Sequence, residues 1–126
     1  MEDYIIREID RIGELLLKVA RKMGLFLDDV PKYTISDVKD EMEKLKMSLD
    51  LDAVLTQESP IMYLVEKEKV SDNGIEAFVE LIYHSDLEES RKVAVLNEAL
   101  HYLDAKGNYS FRLHSLDDNG KFHVEE

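Results

Sequence analysis

EDYIIREIDRIGELLLKVARKMG, residues 2–24, is the stretch on which the fold turns. Ile5, Ile9, Ile12, Leu16, Val19 and Met23 recur at intervals of four and three, which sets them in one stripe along an α-helix. Glu2 and Asp3 lie at the positive end of the helix dipole, and Lys18, Arg21 and Lys22 at the negative end. Glu14 and Lys18 form an i,i+4 pair in the favourable order. Gly24 supplies a left-handed stop. Ile6, Gly13 and Ala20, seven apart, widen the apolar face and leave two low spots. A glycine inside a helix costs about 1 kcal/mol relative to alanine, which close approach by another helix would explain. The stripe is therefore expected to bury Ile9, Ile12 and Leu16 within the chain, chiefly against the second and last helices. Leu17 lies about 100° around the helix from Leu16, and Tyr4 and Leu15 also fall outside the stripe. This edge is expected to serve self-association or a partner, with Leu17 at its centre; the alternative cover is the greasy loop from Leu25 to Val30.

Helical spacing continues beyond the loop. Pro31 forbids extension of the first helix. Thr34 and Asp37 form a capping-box pattern before Ile35, Val38, Met42, Leu45 and Leu49, which predicts a second helix to about Ser48. Asp50 or Asp52 caps a short turn carrying Val54 and Leu55. Ser59-Pro60 reads as an N-cap with proline at the first helical position, opening a helix to about Lys69. Asn73, with Glu76 three residues on, is expected to cap a helix carrying Ile75, Phe78, Val79 and Ile82. Leu81 and Tyr83 make that helix apolar nearly all round, so it should be the most central. Ser85 or Asp86 is expected to start a long last helix carrying Val93, Leu96, Leu100 and Leu103 and stopping at Gly107. Residues 108–126 include the turn signal DDNG, which suits two short strands or a frayed end.

No strand pattern competes before residue 108. The expected fold is all-α, antiparallel helical hairpins in a tetratricopeptide-like bundle. Residues 1–107 form the helical domain and 108–126 an irregular tail or lid on it. Phe78, Leu81, Ile82 and Ala94 fall at tetratricopeptide-like offsets, although Ser85 and Glu98 stand where that repeat takes bulky apolar residues.

The composition excludes several classes of function. The 126 residues suffice for one domain with a real core. The net charge is −12, of which residues 1–33 carry six cations against seven acids and residues 34–126 ten against twenty-one. A field of that sign repels phosphate backbones and anionic lipid, so neither nucleic acid nor membrane is an expected partner. The acidic start, the absence of a long apolar run and the absence of cysteine together predict a cytoplasmic protein without disulfides or thiol chemistry.

Chemical motifs are sparse. From Ser115, the segment SLDDNGKFHVEE sets Asp117, Asn119, Gly120 and Glu126 at positions 3, 5, 6 and 12 of a calcium loop, but serine at position 1 and the lack of a following helix argue for a polar turn. His84, His101, His114 and His123 show no metal-ligand spacing. His84 ends a helix, where positive charge suits the dipole, and His101 is expected to border the core. Adjacent carboxylates such as Asp28-Asp29 and Glu88-Glu89 diverge in regular structure, whereas acid–base catalysis needs convergence. No glycine-rich phosphate loop or nucleophile elbow occurs. No catalytic residue, metal site or cofactor is expected, and the chain does not read as an enzyme. Tyr109, Ser110, Phe111 and Leu113 form an apolar patch after the last helix; Tyr109 and Phe111 are expected to lid the open end of the bundle, the sharper alternative being a contact surface for a partner.

DYIIREIDRIGELLLKV near the start and ALHYLDAKGNYSFRL near the end resemble the two ends of a family of short, uncharacterised bacterial helical proteins, a domain of unknown function. The resemblance covers under half of the chain and implies a tetratricopeptide-like hairpin array in a bacterial cytoplasm. It carries no catalytic residue. HSLDDNGKFHVEE departs from the charged helical ending that the resemblance implies. The leading reading is a small adaptor or scaffold that binds a protein or peptide, or a second copy of itself, with Leu17, Tyr4, Leu15, Tyr109 and Phe111 as candidate surface residues. The alternative is a ligand- or metal-binding regulator using the acidic tail or a pocket between hairpins.

Overall fold

The computed structural model describes residues 11–117, and these are all helical or irregular, with no strand. The elements are α1 (Arg11–Lys22), α2 (Ile35–Lys44), α3 (Leu51–Leu55), α4 (Pro60–Glu66), α5 (Asp72–Tyr83) and α6 (Glu89–Ala105), followed by a helical segment α7 over 111–117. Part of the expected irregular tail is thus helical. The calcium-loop spacing, the DDNG turn beyond Asp117, Tyr4 and Ile9 lie outside the described residues.

α1 answers the question its stripe poses. Ile12, Leu16 and Val19 are buried, but their chief neighbour is α5, with α2 second. Contact with α2 is as expected, but α5 takes the place expected of the last helix, and the glycines supply the reason. A Cβ placed on Gly74 of α5 would lie 2.6 Å from the Cα of Gly13 in α1. The two backbones touch at that point, so α1 can approach α5 more closely than side chains on both helices would allow.

α5 is the central element. Ile75, Ala77, Phe78, Val79, Leu81 and Ile82 are all buried around its circumference, with α1 on one side and α6 on another. Near its C-terminal end, the Tyr33 hydroxyl donates to the Leu81 carbonyl at 2.8 Å, meeting one of the acceptors that a helix end leaves open. Burial first, and then the charge of Glu80, push the Tyr33 phenol well above its ordinary pKa.

Local signals set several ends as expected. Thr34 and Asp37 complete a capping box, Asp50 accepts from the Ala53 amide, and Pro60 opens α4. Others differ. Ser71 rather than Asn73 caps α5, its hydroxyl accepting from the Gly74 amide. α6 starts at Glu89 without a side-chain cap. Ser85 instead shapes the preceding turn, donating to the Ile82 carbonyl and accepting from the Leu87 amide. Asp86 accepts from the Ile35 amide at 2.8 Å and ties that turn to the start of α2. Leu96, Leu100 and Leu103 are buried as expected, but Val93 is exposed and Val95 is buried.

Ser59 makes no capping bond. The Glu98 carboxylate of α6 accepts from the Ile61 and Met62 amides, both at 3.1 Å, and caps α4 from across the fold. The departures from the tetratricopeptide pattern at Ser85 and Glu98 therefore hold polar work: one builds a turn and the other caps a helix.

Candidate interaction surface

Two helix stops create the surface. After α1, Gly24 adopts φ +82, its amide bonds the Arg21 carbonyl, and the Leu25 amide bonds that of Ala20. After α6, Gly107 adopts φ +78, its amide bonds the Asp104 carbonyl, and the Asn108 amide bonds that of Leu103. Both are Schellman stops, in which glycine accepts the left-handed conformation without a Cβ penalty. The chain leaves each stop sharply and carries aromatic residues outward. Leu25 tucks into the core, but Phe26 and Leu27 are 47% and 61% exposed. Tyr109 and Phe111 are 63% and 77% exposed. Tyr109 and Phe111 do not lid the bundle, which corrects that expectation, and the greasy loop turns Phe26 and Leu27 outward.

The second stop is pinned to α5. Lys106 pairs with Asp72 at 2.9 Å, and the Asn108 side-chain amide donates to the same carboxylate at 2.6 Å. The Ser110 hydroxyl donates to Glu76 and accepts from the Leu113 amide, so it both anchors and caps α7. Leu113 is fully buried and takes the inward place that the aromatic residues were expected to hold.

Arg112 joins the two stops. Its Nε and Nη2 donate to the two oxygens of Glu80 at 2.7 and 2.8 Å. Glu80 is buried within α5, so this forked pair compensates a carboxylate that would otherwise be costly there. The bond to Glu80 raises the guanidinium pKa above its ordinary value, and the group remains charged. Its plane also lies 4.9 Å from the centre of the Phe26 ring, a cation–π distance. Tyr109 stacks on His114 with ring centres 4.2 Å apart and meets Phe111 edge-on at 6.2 Å. His114 Nε2 lies 3.2 Å from Asp104. Exposed aromatic groups are thus held in fixed orientations by a polar frame.

The other candidates fall elsewhere. Leu17 and Leu15 are half-buried, and Leu17 packs against the core. His101 is exposed rather than bordering the core. His84 is held below its ordinary pKa, by burial first and then by Lys92 and Arg112 against the opposing pull of Glu80. The positive charge expected at that helix end is therefore disfavoured. Phe26, Leu27, Arg112 and His114 were missed as surface residues. Gly24 was the available signal, because a chain reversed by a left-handed residue cannot keep consecutive apolar residues on one side.

A cavity of about 270 Å3 lies between the α3–α4 turn and α6, beside Leu55, Pro60, Leu87 and Val95. Two of its polar lining residues are engaged: Arg91 donates to the Leu55 carbonyl at 2.6 Å, and Glu98 caps α4. Among the described residues, no group of three or more His, Asp and Glu side chains is placed to hold a metal ion, and no helix is long and apolar enough to cross a membrane. No protein-family model matches the chain, and no curated protein or solved structure is significantly similar to it.

Proposed function

We propose that this chain is a small helical adaptor that binds a protein or peptide through the aromatic surface around Phe26, Tyr109 and Phe111. One observation carries the reading: large aromatic side chains stand in solvent although Arg112, Ser110 and His114 hold the segment in a defined conformation. Aromatic side chains with few torsions lose little entropy on contact and dominate the energetics of protein interfaces. The net charge of −12 favours a partner other than nucleic acid. A binding role, rather than catalysis, in a bacterial cytoplasm, with a tetratricopeptide-like arrangement, is the form of this reading that the sequence resemblance favours.

The test is comparative capture from a bacterial lysate with three proteins: the parent, Tyr109→Ser/Phe111→Ser, and Val93→Ser. Val93 is exposed on α6 and serves as the control. A partner retained by the parent and the control but lost by the double variant supports the surface. Identical captured proteins from all three, together with unchanged sedimentation, would retire it.

A further inference from the structure

The segment after α6 is tied to α5 by every second residue. Lys106 and Asn108 bond Asp72, the Ser110 hydroxyl bonds Glu76, and Arg112 bonds Glu80. The three acceptors stand four residues apart and form one acidic line along α5. Tyr109 and Phe111 fall between the pins and face solvent. The cations at the two ends of this strap each meet an aromatic ring as well. Lys106 Nζ lies 5.1 Å from the Tyr102 ring centre and 3.4 Å from its hydroxyl, and Arg112 lies 4.9 Å from the Phe26 ring centre. Among the described residues, no lysine or arginine sits over the rings in the middle, Tyr109 and Phe111.

The frame that holds these rings is unevenly charged. Lys106 offsets Asp72, and Arg112 offsets Glu80. Glu76 accepts from a hydroxyl and Asp104 meets an imidazole at 3.2 Å, neither of which carries a fixed positive charge. The surplus of negative charge therefore lies beside the two uncovered rings. We infer that the corner between Tyr109 and Phe111 seats a cationic side chain, arginine above lysine, of a partner protein. The inference rests on the aromatic surface being a binding surface and adds the chemistry of what it binds. The two rings stand at 74° with centres 6.2 Å apart, so one cation can lie within the roughly 6 Å cation–π range of both. Ring faces attract cations, and the surplus carboxylates strengthen that attraction. A guanidinium is planar and weakly hydrated and stacks on aromatic faces, as Arg112 already does on Phe26. A second copy of the chain is a poor occupant, because two bodies of net charge −12 repel each other.

The probe is a fluorescently labelled glycine–serine peptide carrying two arginines, compared with the same peptide carrying citrulline, which keeps the shape of arginine without its charge. Each is titrated with the full chain by anisotropy at about 0.15 M salt, where the screening length is about 8 Å. The arginine peptide should saturate with a Kd below about 1 mM, and citrulline should weaken binding about tenfold, equivalent to about 1.4 kcal/mol. Tyr109→Leu/Phe111→Leu keeps the apolar bulk and the net charge but removes both ring faces, and it should weaken the arginine peptide to a similar degree. Both positions are exposed, so the thermal melt of this variant should match the parent. In the unaltered chain, the Tyr109 and Phe111 ring protons should shift on addition of the arginine peptide. Absence of saturable binding, ring protons that stay in place, or unchanged affinity in the leucine variant would overturn the inference. Equal affinity for the citrulline peptide would overturn the cation seat and leave a surface that takes neutral side chains. The capture comparison from lysate reads the surface without this probe, so the two readings fail separately.

Discussion

Gly74→Ala separates two opposite expectations. Helix propensity alone favours alanine over glycine by about 1 kcal/mol. The packing predicts the reverse. The new Cβ would sit 2.6 Å from the Gly13 Cα and 2.6 Å from Val70 Cγ1, inside the 3.4 Å at which ordinary contact begins. Val70 can rotate, but Gly13 is backbone, so relief requires α1 to move away from the element on which it chiefly packs. Overpacking of this kind costs about 1–3 kcal/mol, and a backbone neighbour belongs at the upper end. The net expectation is a loss of about 2 kcal/mol. For a chain of this length that lowers Tm by about 8 °C, at about 4 °C per kcal/mol. Urea unfolding followed by circular dichroism should show the midpoint falling by about 1 M. Asn73→Ala, at the adjacent exposed position, is the control for propensity and should change stability by less than about 0.5 kcal/mol. A Gly74→Ala variant more stable than its parent would refute the contact between α1 and α5.

Lys46→Gly should stabilise the fold by about 0.5–1 kcal/mol in the same melts, because it relieves a left-handed non-glycine residue while adding some chain entropy to the unfolded state. Arg112→Met leaves the buried Glu80 carboxylate without its fork; with Arg112 itself partly exposed, a cost of about 1–3 kcal/mol is expected, and Glu80→Gln/Arg112→Met should recover part of it in a double-mutant cycle. Burial holds the His84 pKa below its ordinary 6.5, so the unfolded chain binds the proton more readily. Stability should therefore fall as pH drops below about 6.5 and level off once pH passes below the folded-state pKa, and His84→Asn should flatten that part of the profile.

Much of the helical frame was legible because it is written locally. Period-four-and-three spacing located α1, α2 and α5; Thr34, Asp50 and Pro60 marked starts; Gly24 and Gly107 marked stops. The same periodicity could not say which helix meets which. That choice rests on the paired absence of side chains at Gly13 and Gly74, and no stripe records it. Caps supplied from elsewhere were equally hidden: Asp86 read as a start for the last helix and Glu98 as a departure from the repeat, until the fold brings them to the starts of α2 and α4. The aromatic surface was half legible. Tyr109 and Phe111 stood out by composition, but apolar character alone pointed them inward. Their outward course depends on Ser110 and Leu113, which take the buried positions beside them.

The Glu98 cap has a consequence for the order in which the chain folds. α4 has only seven residues, too few to persist alone in water, and the first of its amides are met by a carboxylate far along the chain. Before α6 arrives, those amides have only solvent. The α4 turn should thus consolidate late, with α6 as its template. In the native state, hydrogen exchange at Ile61 and Met62 should report the undocking of α6 rather than the fraying of α4. Two amides in the middle of the sequence become a spectroscopic gauge of a helix more than thirty residues away.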